Sequence, residues 1–215
     1  MSYTLDAAQA KAADSLGSSI RETGKYVGTI TRAEAITSTK GSKGLGLSFK
    51  AADGATADYL DLWTHNKDGE ALSSLKTVNA ILACLKLRGI NESAIAFERW
   101  NKEKKTREPV TGPGYPDLMG KRIGFLLRKE LETDDKGQDR ERLGIYAVFQ
   151  ADTELTASEV LGQQTKPERL GKMLDALLAK PVYDKRKAPG STSRPASGAS
   201  SHDSGDWTQD QDIPF

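Results

Sequence analysis

Residues 45–50 alternate strictly between large apolar side chains and small or polar ones. A period of two is typical of a β-strand with one buried face. Such a strand is stable only when another layer covers its apolar face, so the pattern predicts a sheet that encloses a core. The apolar positions are Leu45, Leu47 and Phe49, and the positions that separate them or follow them are Gly46, Ser48 and Lys50.

Two further strands flank this segment. The stretch from Lys25 towards Ile36 favours β-structure, and the Gly- and Ser-rich residues 38–44 predict a turn before the second strand. The pair Asp53-Gly54 predicts the next turn. In the third strand the inward Leu60 and Leu62 alternate with Tyr59, Asp61 and Trp63, which therefore face outward.

The apolar period changes after residue 69. Leucines and valine recur at steps of three and four residues between Leu72 and Leu85, which predicts a helix that ends near Gly89. Residues 98–120 predict a long connection, because prolines and glycines follow a charged run. Two more strands are expected around a turn at 134–137. Their inward positions are Ile123, Phe125, Leu127 and Leu131 in one, and Leu143, Ile145, Ala147 and Phe149 in the other.

The predicted order is three strands, a helix, two strands and a C-terminal helix that opens at Pro167. This order predicts a mainly β protein with helices (α+β), arranged as a five-stranded OB-fold barrel with a helix between its third and fourth strands. Another α+β sandwich is compatible with the same order. With 37% hydrophobic residues in 215, the chain supports one domain. We divide it into an N-terminal extension (1–23), an OB-like domain (24–187), a flexible linker (188–205) and an acidic tip (206–215).

Charge is distributed unevenly between these parts. The segment 188–215 holds one arginine and four aspartates, a net charge of −3. Because the whole chain carries +1, residues 1–187 carry +4. A basic body with an acidic tail is typical of a nucleic-acid-binding protein with an interaction tail, although a charge of +4 over 187 residues is unremarkable by itself.

The last ten residues combine acids with an apolar end. Pro214 restricts the backbone between two apolar side chains, and Phe215 carries the terminal carboxylate. This end resembles the acidic tip of bacterial single-stranded DNA-binding proteins, a run of Asp followed by Ile-Pro-Phe, although Gln211 interrupts the acids here. A chance acidic terminus is the alternative. The resemblance implies capture by host replication and repair proteins, through Asp206, Asp210, Asp212, Ile213, Pro214 and Phe215.

A single-stranded nucleic acid needs cations for its phosphates and flat rings for its bases. Such side chains occur in the first turn, on the outward positions of the strands and in the 98–108 region, whose net charge is +2. Helices that cover the rings, or a merely solvated loop, are the alternatives. The candidate nucleic-acid-binding residues are Lys40, Lys43, Lys50, Tyr59, Trp63, Arg99, Trp100, Lys102, Lys104, Lys105, Arg107, Arg122 and Arg128.

Catalysis is not expected, because the sequence has no phosphate-binding glycine loop, HExxH or Gly-x-Ser-x-Gly motif. One cysteine and two histidines predict neither a disulfide nor a zinc site, so no cofactor is expected. No leader or membrane span is apparent, which predicts a cytoplasmic protein, in the host if phage-encoded.

Tip and body together resemble a single-stranded DNA-binding protein of the phage type. The resemblance implies that the protein protects single-stranded DNA during replication, recombination or repair, while a homo-oligomer is left open. The alternative is an adaptor that binds proteins through both its body and its tip, without contacting DNA.

Overall fold

The computed structural model describes residues 19–101, 104–134 and 137–186. Within these residues it contains eight strands, three α-helices and one 3₁₀ turn, so the predicted mainly β, α+β class is confirmed. The strands are β1 (Gly24–Thr37), β2 (Lys43–Ala51), β3 (Thr56–His65), β4 (Ser93–Asn101), β5 (Thr106–Gly114), β6 (Arg122–Thr133), β7 (Asp139–Phe149) and β8 (Val182–Asp184). The helices are α1 (Ser74–Cys84), α2 (Ala157–Leu161) and α3 (Arg169–Ala179), and the 3₁₀ turn is Pro116–Leu118.

β1 is the central strand of the sheet. Its first half pairs with β6 and its second half with β2, both antiparallel. β3 continues the sheet beyond β2, β7 continues it beyond β6, and the short β8 runs parallel to β6. Among the described residues, β5 joins β1 through one pair, Glu34 with Gly114.

The sheet is not closed into a barrel, and its eight strands exceed the five that we predicted. β3 and β7 contact each other but do not pair in the described residues. β3 has register shifts against β2 at Tyr59 and at Thr64, and β7 has one against β6 at Tyr146. Bulges of this kind interrupt a ladder. The prediction of a five-stranded closed barrel is therefore wrong on both points.

The main core lies inside the curved sheet. The rings of Phe49 and Phe125 pack at 5.1 Å between centroids, and the predicted inward leucines of β2 and β3 are buried around them. α1 contributes Val78, Ile81 and Cys84. This helix is shorter than its leucine pattern predicted, and its most buried residue is Ile81. Burial in the core raises the pKa of the Cys84 thiol to about 12.

β6 is buried on both faces, which the sequence pattern did not predict. Phe125 and Leu127 face the main core, whereas Leu126 packs beneath α3 with Ala147 and Phe149. The bulge at Tyr146 moves the end of β7 to this second face, so the single inward face predicted for residues 143–149 is wrong. At Gly124 an added Cβ would lie 2.1 Å from the Phe149 ring, so only glycine leaves space for it.

α3 is tied to α2 by a buried carboxylate. Glu159 accepts hydrogen bonds from the Thr156 backbone and hydroxyl, both at 2.7 Å. Its other oxygen accepts from the backbone N–H groups of Glu168 and Arg169 at 2.7 and 2.9 Å. Burial disfavours the ionised form, but these four hydrogen bonds outweigh it and lower the pKa of Glu159 to about 2.

β4 and β5 form a two-stranded hairpin, which we call the arm. The sequence predicted a connection across much of this region, because Pro109 and Pro113 disguise β5. These prolines are four residues apart, so their missing N–H groups belong to the same edge. The edge of β5 that faces away from β4 pairs with β1 only at Gly114 in the described residues. Few backbone N–H donors are therefore needed along that edge, and prolines are tolerated there.

The described chain begins with residues that pack on the sheet. Ser19 pairs with Thr56, and Ile20 is buried in the main core, although we placed residues 1–23 in an extension. Residues 1–18 of the extension, the linker 188–205 and the tip 206–215 lie outside the described residues. Within the described part of the chain, none of the helices has both the length and the apolar character that a membrane span requires.

Candidate nucleic-acid interface

Charged side chains project from the outer face of the sheet at the root of the arm. Arg32 and Glu34 of β1 lie opposite Ser48 and Gly46 of β2. Because these partners are small, the two long side chains can lie across the sheet, and both are buried although they point away from the main core. The outer face of β1 and β2 therefore contains an ionic layer in place of a solvated surface.

Tyr59 lies next to this layer in a β-bulge. Leu47 pairs with Leu60 and Phe49 with Ala57, so two residues of β3 oppose Ser48. The backbone of Tyr59 has a φ of 60°, a left-handed conformation that costs energy for a residue with a Cβ. Its side chain is 57% exposed, as we predicted, while the neighbouring leucines are buried.

Two arginines and two rings alternate at this position. The Arg32 guanidinium carbon lies 5.4 Å from the centroid of the Tyr59 ring and 5.8 Å from that of Phe97 in the arm. The guanidinium carbon of Arg99 lies 5.3 Å from the same Phe97 ring. These distances are within the range of cation–π attraction. We call Arg32, Glu34, Tyr59, Phe97 and Arg99 the arm-root cluster.

Glu34 joins the two arginines of the arm-root cluster. Arg32 donates to its carboxylate at 3.3 Å, and Arg99 donates to its other oxygen. Glu34 is buried, whereas the Arg99 side chain is about half exposed. Among the described residues, the buried Nε atom of Arg32 has no hydrogen-bond partner. The cluster therefore retains an unused donor and one solvent-facing guanidinium.

Asp61 of β3 adds a second acid, after Glu34 of β1, to the same face of the sheet. Burial raises the pKa of Asp61, Arg32 and Arg142 act against this rise, and Glu34 adds to it. Arg142 belongs to β7, so its influence extends across the opening between β3 and β7. Arg142 itself pairs with Glu130 and Glu132, so the arginines of the outer face are matched by carboxylates.

The other predicted residues of β2 and β3 are spread along the strands. Trp63 is half-buried, and a Cβ added at Gly44 would lie 3.1 Å from its Cε3 atom, so the ring lies against β2. Lys43 and Lys50 are exposed at opposite ends of β2, about 23 Å apart at the rise of a strand. Lys40 lies in the preceding turn.

The structure describes only some of the predicted cationic side chains at the end of the arm. Lys104 forms an ion pair with Glu108 at 2.7 Å, which neutralises it locally, and Lys105 is exposed in the turn. Trp100 and Arg107 pair through their backbones, but their side chains, like Lys102 as a whole, lie outside what the structure describes.

Arg122 and Arg128 do not belong to the arm-root cluster. Arg122 is exposed and forms an ion pair with Asp152 at 2.5 Å. Arg128 contacts the rings of Tyr146 and Tyr183, on the part of the sheet formed by β6, β7 and β8.

A cleft of about 460 Å³ opens at the end of β2 that begins with Lys43. Its walls are mainly apolar and come from the sheet, α1 and the segment before the arm. Lys43 and Glu92 both line it, so the cleft has no single charge preference. Among the residues that the structure describes, no three acidic, histidine or cysteine side chains form a group suited to a metal ion.

Neither a protein-family model nor a curated protein matches this sequence. The interpretation of the arm-root cluster therefore rests on its geometry.

Several residues of this face were not predicted from the sequence. Arg32 and Glu34 alternate on a strand, and they pair with small residues of the next strand, a pattern that indicates long side chains lying across a sheet. Phe97 was hidden in a region that we interpreted mainly as a connection. Tyr146 and Tyr183 gave no signal, because a bulge and a three-residue strand position them.

Proposed function

We propose that this protein binds single-stranded DNA along the outer face of β1–β3 beneath the arm. It protects the strand during replication, recombination or repair, in a phage-infected host if the gene is phage-borne. The arm-root cluster supplies what this ligand needs, since an exposed ring beside stacked guanidinium groups offers a base a flat partner and a phosphate a cation. The exposed Tyr59 ring, held against Arg32, is the observation that carries the proposal.

The path of the strands supports an OB-like interpretation of the domain. The neighbours β3, β2, β1, β6 and β7 follow one another in the sheet, and α1 lies between β3 and β6 along the chain. We propose an OB-like fold that is opened between β3 and β7 and extended by the arm. OB-folds bind oligonucleotides on the face of their second and third strands, where Tyr59 and Trp63 lie.

The C-terminal tip completes the proposal. The sequence Asp-Ile-Pro-Phe at residues 212–215 serves as a recruitment signal for host replication and repair proteins, as its resemblance to bacterial tips implies. A pocket with an apolar floor and a basic rim would accept the ring and the terminal carboxylate together.

A binding titration tests the DNA-binding half. Labelled oligothymidylate of about 30 nucleotides, measured by fluorescence anisotropy at two salt concentrations, should bind more weakly at high salt, with a slope of about −0.7 per phosphate contact. Tyr59→Ala should lower the affinity about 5- to 150-fold, the value of one stacked base. Leu178→Ala, which removes another exposed apolar side chain, is the matched control.

An adaptor without DNA contact is the second candidate, because the buried Glu34 carboxylate already neutralises arginines that a phosphate would need. An adaptor would show no anisotropy change with any oligonucleotide and would still capture tip-binding enzymes. The same titration, repeated with duplex DNA and with single-stranded RNA, shows which class of nucleic acid binds.

A further inference from the structure

A second group of stacked planar side chains lies on the part of the sheet formed by β6, β7 and β8. The Arg128 guanidinium carbon is 5.0 Å from the centroid of the Tyr146 ring and 4.4 Å from that of Tyr183. One cation thus contacts two rings from different strands. We call Tyr146, Arg128 and Tyr183 the tyrosine stack.

The backbone holds the rings of the tyrosine stack in place. Tyr146 is the extra residue of the β7 bulge, because Ile145 pairs with Leu127 and Ala147 with Leu126. Tyr183 is the middle residue of β8 and pairs with Glu130 of β6. Both rings are therefore attached to strands, which lowers the entropy lost when a ligand binds.

A buried carboxylate fastens β8 beside the stack. Glu130 accepts hydrogen bonds from Lys185 at 2.6 Å and from Arg142 at 3.2 Å. A Cβ at Gly144 would lie 2.5 Å from this carboxylate, so the glycine provides the space for it. The Nζ atom of Lys185 also lies 5.5 Å from the centroid of the Tyr183 ring. This ring therefore has the cationic groups of both Arg128 and Lys185 beside it.

The rings remain open to solvent despite these contacts. Tyr183 is 46% exposed and Tyr146 is 36% exposed. The Nε atom of Arg128 is buried and has no hydrogen-bond partner within the part of the chain that the structure describes. A ring that stacks on a guanidinium with one face can stack on a nucleobase with the other, and nearby cations favour the phosphates.

We propose that the tyrosine stack is a second contact surface for single-stranded nucleic acid, separate from the arm-root cluster. This proposal rests on the proposed function, because it assumes that both surfaces bind the same ligand. Arg142 links the two surfaces, because it contacts Glu130 beside the stack and acts electrostatically on Asp61 of β3. A long strand that occupies both surfaces passes Arg142, whereas short strands bind the two surfaces independently.

Binding stoichiometry tests the proposal. With oligothymidylate of about 8 nucleotides, the intact chain should bind two molecules, and the double variant Tyr146→Leu/Tyr183→Leu should bind one. With about 30 nucleotides the double variant should lose about tenfold or more in affinity. Tyr146→Phe/Tyr183→Phe keeps the rings and is the matched control, with both properties unchanged. A leucine variant that matches the intact chain in both measurements would overturn the proposal.

The same titration separates this proposal from the previous one. Tyr59→Ala without effect, together with a loss of all binding in the double leucine variant, would reject the arm-root surface and retain the tyrosine stack. If the leucine substitutions destabilise β8, photocrosslinking of the unsubstituted chain to an oligonucleotide that contains iodouracil tests the second surface instead. Crosslinks at Tyr146 or Tyr183 support the second surface, and crosslinks confined to β1–β4 reject it.

Discussion

Arg99 in β4 donates a hydrogen bond to the buried carboxylate of Glu34 in β1. This contact joins the arm to the central strand at the position where Glu34 pairs with Gly114. A carboxylate in contact with two guanidinium groups occupies the position that a phosphate would take in a complex. The acid therefore fixes the arm, and in the proposed complex it would compete with a phosphate for the two arginines.

Glu34→Gln should tighten the binding of single-stranded DNA about three- to tenfold, because it frees positive charge at the arm-root cluster. Anisotropy titrations at low salt measure the effect. Glu98→Gln removes the same charge from the exposed position between Phe97 and Arg99, on the opposite face of β4, and should change the affinity less than twofold. Weaker binding by the Glu34 variant would mean that the contact mainly positions Arg99.

Tyr59→Gly and Tyr59→Ala should bind DNA equally weakly, because both lack the ring. The glycine variant should nevertheless be more stable by about 0.5–1 kcal/mol, since only glycine adopts a φ of 60° without steric cost. Urea unfolding of the two variants gives the difference. Equal stability would show that the bulge relaxes when the ring is removed.

Gly124→Ala should destabilise the fold by about 3 kcal/mol, because its methyl group would overlap the buried Phe149 ring. Gly171→Ala is the matched control in α3, where an added Cβ meets nothing within 4 Å. This control should gain about 0.5–1 kcal/mol from helix propensity. Thermal and urea unfolding of both variants should thus show changes of opposite sign.

Stability should decrease in acid because of Glu159. Its pKa is about 2 in the folded chain, against an ordinary value of 4.5, so the unfolded state binds the proton first as the pH falls. The contribution of this group is complete above about pH 4.5 and is lost towards about pH 2. Glu159→Gln should cost about 2 kcal/mol at neutral pH and much less near pH 3. A constant difference between the two proteins would contradict this assignment.

Removal of residues 206–215 should leave the DNA affinity equal or higher and abolish the capture of tip-binding enzymes. We expect this result because, in the proposed arrangement, an acidic tip would compete with phosphates for the same arginines, and a flexible linker of about 20 residues would reach on the order of 25 Å. Anisotropy and a pull-down with a tip-binding repair enzyme measure the two effects. Loss of DNA binding on truncation would reject the division of roles between body and tip.

The sequence was sufficient to predict β1–β3, α1, the two long strands after the arm and α3, because each has a sustained apolar period. It was not sufficient where one residue changes the register. The bulge at Tyr146 moves Ala147 and Phe149 to another face, and no local composition marks it. The arm was missed for a related reason, since prolines on a largely unpaired edge look like a loop.

The candidate site was predictable only in outline. Alternation with buried leucines was enough to predict that Tyr59 is exposed. The contacts that define the arm-root cluster join residues 32, 59 and 97, which only the folded chain brings together. Charge counting also overstated the available cations, because Arg122 and Lys104 have acidic partners.

The single residue pair that roots the arm has a consequence for the length of the arm. Because Gly114 alone joins β5 to β1 in the described structure, the hairpin can gain or lose residue pairs at its far end without altering the remaining ladders. Arms of different length are thus compatible with one unchanged body, and in the proposed complex the length of the arm would set how much single-stranded DNA is covered.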